Sequence, residues 1–229
     1  MLMISEMVSV PAGRVTLGGD LVVPAQARAM ILIAHGTDSS RRSPGSRSVT
    51  AALHRAGFGT LALDLLSEAE DRGVSPDGDQ RFDVRLLGRR TAAGSDWLKA
   101  QPETRGLPIA LFGTGVESAA VLEAAAELPD EALTAVVWGA RPDLAGDALR
   151  RIRVPVLFLA GGRDPGMLRL DQQAAEQIPA VSAVRVVQDA GPLFDEPGSL
   201  DEMVALATAW CDERLRTMAA AGTDPGPVR

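Results

Sequence analysis

Pro108-Ile-Ala-Leu-Phe-Gly-Thr-Gly-Val-Glu-Ser-Ala-Ala-Val-Leu122 is the stretch on which the fold turns. Ile109–Phe112 is an uninterrupted apolar run of strand length, and a helical pattern opens at Val116. Only Gly113-Thr114-Gly115 lies between them, so the strand must turn directly into the helix. Such an elbow sets two glycines at the carboxyl end of a buried strand, where open α/β sheets bind their ligands.

The same grammar repeats on both sides of the elbow. Short apolar runs predict strands at Met7–Val10, Val15–Val23, Ala29–Ala34, Thr60–Leu63, Ile109–Phe112, Ala135–Trp138, Val156–Leu159 and Val184–Val187. Amphipathic stretches predict helices at Ser46–Ala56, Asp83–Lys99, Val116–Leu128, Leu168–Gln177 and Leu200–Ala219. From Ala29 onward the strands lack polar alternation, the mark of a parallel sheet covered on both faces. The expected architecture is a doubly wound, mostly parallel α/β sheet formed by a single domain over residues 1–221. Its first two segments, punctuated by Pro and turn residues, form an antiparallel N-terminal edge. Ser199 precedes an acidic first turn and caps the last helix, and Pro102 stops the helix before it. Ser67 to Gln80, acidic and rich in Gly and Pro, reads as a solvated loop, and 222–229 as a disordered tail.

Composition narrows the function. Of 229 residues, 23 are Lys or Arg and 30 are Asp or Glu, giving a net charge of -7, which speaks against a nucleic-acid surface. No basic start followed by a long apolar run opens the chain, and no apolar run approaches the ~20 residues that span a bilayer. A cytoplasmic protein without a membrane partner is expected. The single cysteine, Cys211, excludes an internal disulfide and sits in a helical pattern as a packing residue. Neither His35 nor His54 has a partner at metal-ligand spacing, so neither a metal nor another cofactor is expected.

The strand ends collect the residues with chemical potential. They are His35-Gly36-Thr37-Asp38-Ser39-Ser40, Asp64-Leu65-Leu66, the elbow, Gly139-Ala-Arg141-Pro142-Asp143, Gly161-Gly162-Arg163-Asp164, and Gly191-Pro192-Leu193-Phe194-Asp195-Glu196-Pro197-Gly198. In this order and spacing the chain resembles the α/β-hydrolase superfamily, in particular its small dienelactone hydrolase-like members, which have no large cap domain. The resemblance implies a nucleophile at the elbow in a Gly-x-Ser-x-Gly frame. Here that frame reads Gly113-Thr114-Gly115-Val116-Glu117, so the nucleophile position holds Gly115. The resemblance implies the acid at Asp164 and a histidine in a loop one residue before a phenylalanine, a position that falls on Pro192. The second glycine of the frame is replaced by Glu117. Two of three triad positions have therefore lost their chemistry, and losing the Ser-His relay removes most of the rate enhancement.

What the resemblance leaves intact is backbone. The N–H groups of Val116 and of the Thr37 region form an oxyanion-binding pair. His35, Asp38, Gly115, Trp138, Arg141, Pro192 and Phe194 are the expected pocket residues. Asp164 reads either as a general base or as a turn residue capping the following segment. Glu117 reads either as a second carboxylate at the site or as a solvent-facing helix residue, and Arg141 either as an anion binder or as one half of a loop salt bridge. His35 is expected to pack structurally, His54 to sit on the surface, and Ser118, Ser39 or Ser40 to be the only displaced nucleophiles on offer. A frame shifted by two residues puts Glu117 at the apex, but that chemistry also needs a histidine near Leu193, where none stands.

Three functions follow. The first is a repurposed hydrolase homologue binding an acyl or polyketide-like small molecule in specialised biosynthesis and catalysing elimination, isomerisation or cyclisation. The second is a non-catalytic pseudo-hydrolase acting as a binding or scaffold protein, and the third is a serine hydrolase with a relocated nucleophile. Each is compatible with a homodimer.

Overall fold

The computed structural model describes residues 3–36, 41–73 and 83–222. Eight strands, β1 (Ile4–Ala12), β2 (Val15–Val23), β3 (Met30–His35), β4 (Gly59–Asp64), β5 (Ile109–Gly115), β6 (Ala132–Ala140), β7 (Val156–Gly161) and β8 (Ser182–Val187), form one sheet in the order β1-β2-β4-β3-β5-β6-β7-β8. The pairs β1–β2 and β2–β4 are antiparallel, and every pair from β4–β3 to β7–β8 is parallel. The mostly parallel sheet with an antiparallel edge is thus as the sequence predicts.

Side-chain alternation along the buried strands builds two cores rather than one. On β3, Leu32 and Ala34 join a core with Leu61, Leu63, Leu111 and Phe158, while Ile31 and Ile33 face Phe58, Phe112, Leu157 and Trp210 on the other side. Helices α3 (Val84–Ala100), α4 (Glu117–Glu127) and α5 (Pro165–Gln177) supply residues to the first core; α1 (Pro44–Arg55) and α6 (Ser199–Gly222) cover the second. α6 is tied down by the Trp210 indole, whose Nε1 donates to Thr134 Oγ1 at 2.8 Å, and the neighbouring Cys211 is fully buried.

Three departures from the sequence reading have local causes. Part of the expected loop after β4 is the helix α2 (Glu68–Gly73). A reciprocal capping box starts it: Ser67 N–H donates to Glu70 Oε2 at 2.9 Å, and Glu70 N–H donates to Ser67 Oγ at 3.3 Å. The buried Arg90 clamps the same carboxylate, and this pairing holds the Glu70 carboxyl down at about 2. Residues 74–80 of that loop and 223–229 of the tail lie outside the described residues. α5 begins at Pro165 rather than Leu168, because Asp164 caps it and Pro165 fits the first helical position. A 3-10 segment, Pro142–Arg151, also follows β6; its apolar content is too sparse for a helical pattern, and Gly146, with φ of 51°, breaks it midway.

Among the described residues no helix is long and apolar enough to cross a membrane, and no group of three or more His, Cys, Asp or Glu is placed to hold a metal ion.

Candidate functional site

The chain passes from β3 to β4 on one side and later returns to β5 on the other, so the order in which strands are added reverses between β3 and β5. Crevices form at such switch points. The carboxyl ends that meet there are His35-Gly36 and the elbow Gly113–Gly115.

At the elbow, Gly115 has φ of 57°, in the region that penalises any side chain. The left-handed residue therefore coincides with the position where the sequence frame sets a nucleophile. Glu117 is the first residue of α4, one step into the helix, which does not match the shifted frame. Its side chain is not on a solvent face. Glu117 is 6% exposed, because nine successive α4 residues, Glu117 to Ala125, are buried where α4 lies among the sheet, α3 and the 3-10 segment. The carboxylate reaches back over the elbow toward β3. A Cβ placed on Gly36 would come 1.6 Å from Glu117 Oε1, and one placed on Gly115 would touch only Glu117 Oε2, at 3.7 Å. One carboxylate thus spans the gap between the two glycines. At Gly36 the absence of a side chain is what admits it.

Ser118 is fully buried and committed. Its hydroxyl donates to the Gly115 carbonyl at 2.5 Å and accepts the Arg141 N–H at 3.0 Å. The Arg141 guanidinium forks onto Asp143 at 2.9 and 2.8 Å and is half-exposed, the loop salt bridge of the two readings. That pairing raises the arginine and lowers the aspartate from their ordinary ranges.

Beyond β6, β7 and β8 the loops close tightly. A Cβ on Gly139 would lie 2.6 Å from the Pro192 carbonyl oxygen, and one on Gly161 would lie 2.4 Å from that of Gly191. Glu196 Oε1 holds this loop by accepting the Gly191 N–H at 2.8 Å. Phe194, with φ of 54°, is buried in the α6-side core, and Trp138 packs edge-on against Phe112, ring centroids 6.1 Å apart. Both expected pocket residues are therefore core residues, placed there by the strand alternation and by the inward turn of the loop. Asp164 serves as the cap of α5, its Oδ1 accepting the Met167 N–H at 2.9 Å.

One group in this half escaped the sequence reading. Asp171, on the inner face of α5, is fully buried, and neither oxygen has a hydrogen-bond partner among the described residues. Burial, with a smaller push from the Asp164 charge, raises its carboxyl to about 7. Its spacing to Ala174 and Ile178 was the available signal, a charged residue in an inner helical stripe.

The open part of the site lies beside the elbow, at the ends of β3 and β4. A cavity of about 240 Å³ is lined by His35, Gly36, Arg41, Asp64, Glu68 and Asp71, among others. Arg41 organises it: Nε donates to Asp64 Oδ2 and Nη1 to Asp20 Oδ1, both at 2.7 Å, with the guanidinium side chain only 9% exposed. Burial raises the Asp64 carboxyl even against the opposing pull of Arg41. His35 is buried as expected, whereas Thr37 and Asp38 lie outside the described residues, as do Ser39 and Ser40. His54 is half-buried rather than on the surface; it shares a 2.8 Å hydrogen bond with Thr60 Oγ1, and burial lowers its basicity. Sequence reasoning reached Asp64 as a strand end but missed Arg41, since an ion pair between residues 23 apart leaves no local pattern.

Comparison with known proteins places this architecture. No family model matches the chain. Two Mycobacterium tuberculosis proteins, each named "putative phosphoribosyl transferase", are 40% identical over 210 residues. That match covers 92% of this chain and 46% of theirs, so the chain spans about half the length of these curated relatives. A dienelactone hydrolase-like promiscuous phosphotriesterase from metagenomic libraries shares the fold, with a TM-score of 0.68 at 19% identity over 92% of this chain and 98% of its own. The crystal structure of a dienelactone hydrolase from Anabaena variabilis superposes with a TM-score of 0.88 at 37% identity, covering 92% of this chain and 98% of that one. With its sheet order, its elbow and this likeness along nearly the whole length of a solved relative, the chain belongs to the dienelactone hydrolase-like α/β-hydrolases.

Proposed function

We propose that this protein binds a small polar molecule in the cavity beside the elbow and does not carry out acyl-enzyme hydrolysis. The observation that carries the reading is Gly115 at φ of 57°, a left-handed elbow apex with no side-chain atom to attack a carbonyl. Pro192 at the histidine position, the capping role of Asp164 and the two hydrogen bonds that occupy Ser118 support it from three further directions. A cavity of about 240 Å³ admits only a compact acyl compound and favours a ligand smaller than those of drug-sized pockets, which take ~300–1,000 Å³.

A second reading, non-hydrolytic catalysis, is favoured by the buried Glu117 carboxylate at the switch point. There it serves as a proton acceptor in an elimination or isomerisation, chemistry that needs no covalent intermediate. The chain covers 46% of the mycobacterial relatives, so the phosphoribosyl transfer in their name is not carried over to it. Three carboxylates line the cavity, and its central guanidinium is already held by Asp20 and Asp64, a poor cradle for a diphosphate.

The test is activity-based labelling with a fluorophosphonate, together with turnover of short p-nitrophenyl esters. Inertness in both is expected, and labelling of any serine sinks the proposal. A thermal-shift screen of small polar compounds then separates the two readings: Glu117→Gln abolishes turnover of a hit in the catalytic reading and leaves its conversion at the uncatalysed rate in the binding one.

A further inference from the structure

The Glu117 carboxylate stands in a place that calls for an anion from outside. It lies at the start of α4, where first-turn N–H groups and the macrodipole favour negative charge, and the N-cap residue Val116 offers no side-chain cap of its own. It is buried, and it is wedged between Gly36 and Gly115. Gly36 in turn lines the ligand cavity, so the carboxylate backs that wall from the elbow side.

We infer that Glu117 is a built-in plug: its carboxylate occupies, from within the chain, the gap between Gly36 and Gly115 that a carboxylate or carbonyl oxygen of an external ligand would otherwise enter. The inference rests on the reading that acyl chemistry has been given up at Gly115, and it adds the reason a return of the nucleophile alone does not restore it. A carboxyl group in the gap takes the space of a developing oxyanion. Truncating Glu117 reopens the gap as a site for small carboxylates.

Acetate is the probe. The Glu117→Ala variant is melted in rising acetate against matched chloride, and a saturable rise in Tm of about 3–5 °C at ten times the dissociation constant is expected. Wild type and Glu117→Gln, which keeps the volume filled, move by less than about 1 °C under the same conditions. Backbone amide signals of Gly36 and Val116 shift on titration in the Ala variant only. Equal responses in wild type and Glu117→Ala overturn the inference. Should that variant not fold, Glu117→Ser, which also withdraws the carboxyl from the gap, takes its place in the same titration: a saturable acetate response absent from wild type supports the plug, and no response refutes it. Ester turnover by the wild type tests the parent reading separately, since acetate binding requires no nucleophile.

Discussion

The two halves of the sheet's carboxyl edge have been treated differently. Beyond the ends of β3 and β4 a cavity opens between charged side chains organised by Arg41. Around β6, β7 and β8 the loops lie backbone against backbone on Gly139, Gly161 and Gly162. In the closed half Asp164 caps α5 and Glu196 ties the loop down at Gly191. There the polar side chains hold backbone; in the open half they line a cavity.

This contrast can be broken or sharpened at four positions. The largest effect is expected in the closed half, at Asp171. In the native state its carboxyl titrates near 7, against an ordinary value near 3.8, so the folded chain holds a proton that the unfolded chain has released. The group leaves stability untouched below the lower value, and its cost grows as pH rises from about 4 to about 7 and is constant above. The shift corresponds to about 4 kcal/mol as an upper bound. Urea unfolding of wild type should lose stability across that window, and Asp171→Asn should remove the slope. Parallel curves for the two proteins mean that Asp171 is ionised in the native state.

Next comes Gly161→Ala. Its Cβ meets the Gly191 carbonyl at 2.4 Å, a backbone group that cannot swing aside, and a loss of about 3 kcal/mol is expected by denaturant titration. A tolerated alanine shows the closed half to be looser than described. In the open half, Arg41→Ala strands Asp20 and Asp64. Both partners keep about a third of their surface in water, which limits the loss to about 2 kcal/mol while any ligand response in the thermal screen disappears. A variant as stable as wild type with its ligand response intact removes Arg41 from the role of organiser. The smallest change belongs to Ser118→Ala, about 1 kcal/mol for two lost hydrogen bonds in a buried setting. Fluorophosphonate reactivity should stay at background in both forms; if wild type labels and this variant does not, the serine is a nucleophile after all.

The fold was legible because its signals are local and repeated. The apolar runs of β3, β5 and β7 declare strands buried on both faces, and alternation within them sorts residues such as Ile31 and Leu32 to opposite cores. The elbow was legible at Gly115 as well, since two glycines between a strand and a helix mark a tight turn. Direction within a helix was not. For Glu117 the choice between a site carboxylate and a solvent-facing residue stayed open, because a single glutamate carries no record of the neighbours that surround α4, and those neighbours come from α3 and the segment after β6. Trp138 and Phe194 misled for the opposite reason: large rings near a strand end resemble pocket walls until the alternation of β6 and the positive φ of Phe194 turn them inward. Arg41 was invisible, as its partners stand on β2 and β4.

Cys211 offers a last consequence. It is the sole thiol in the chain, wholly enclosed beneath α6 and pushed up to about 12 by burial, next to the Trp210 anchor on Thr134. In the docked state it meets neither solvent nor reagent as a thiolate, and alkylation must wait for the helix to lift away. The wild-type protein therefore carries its own clock for the opening of that helix, read by the rate at which a maleimide finds the sulfur.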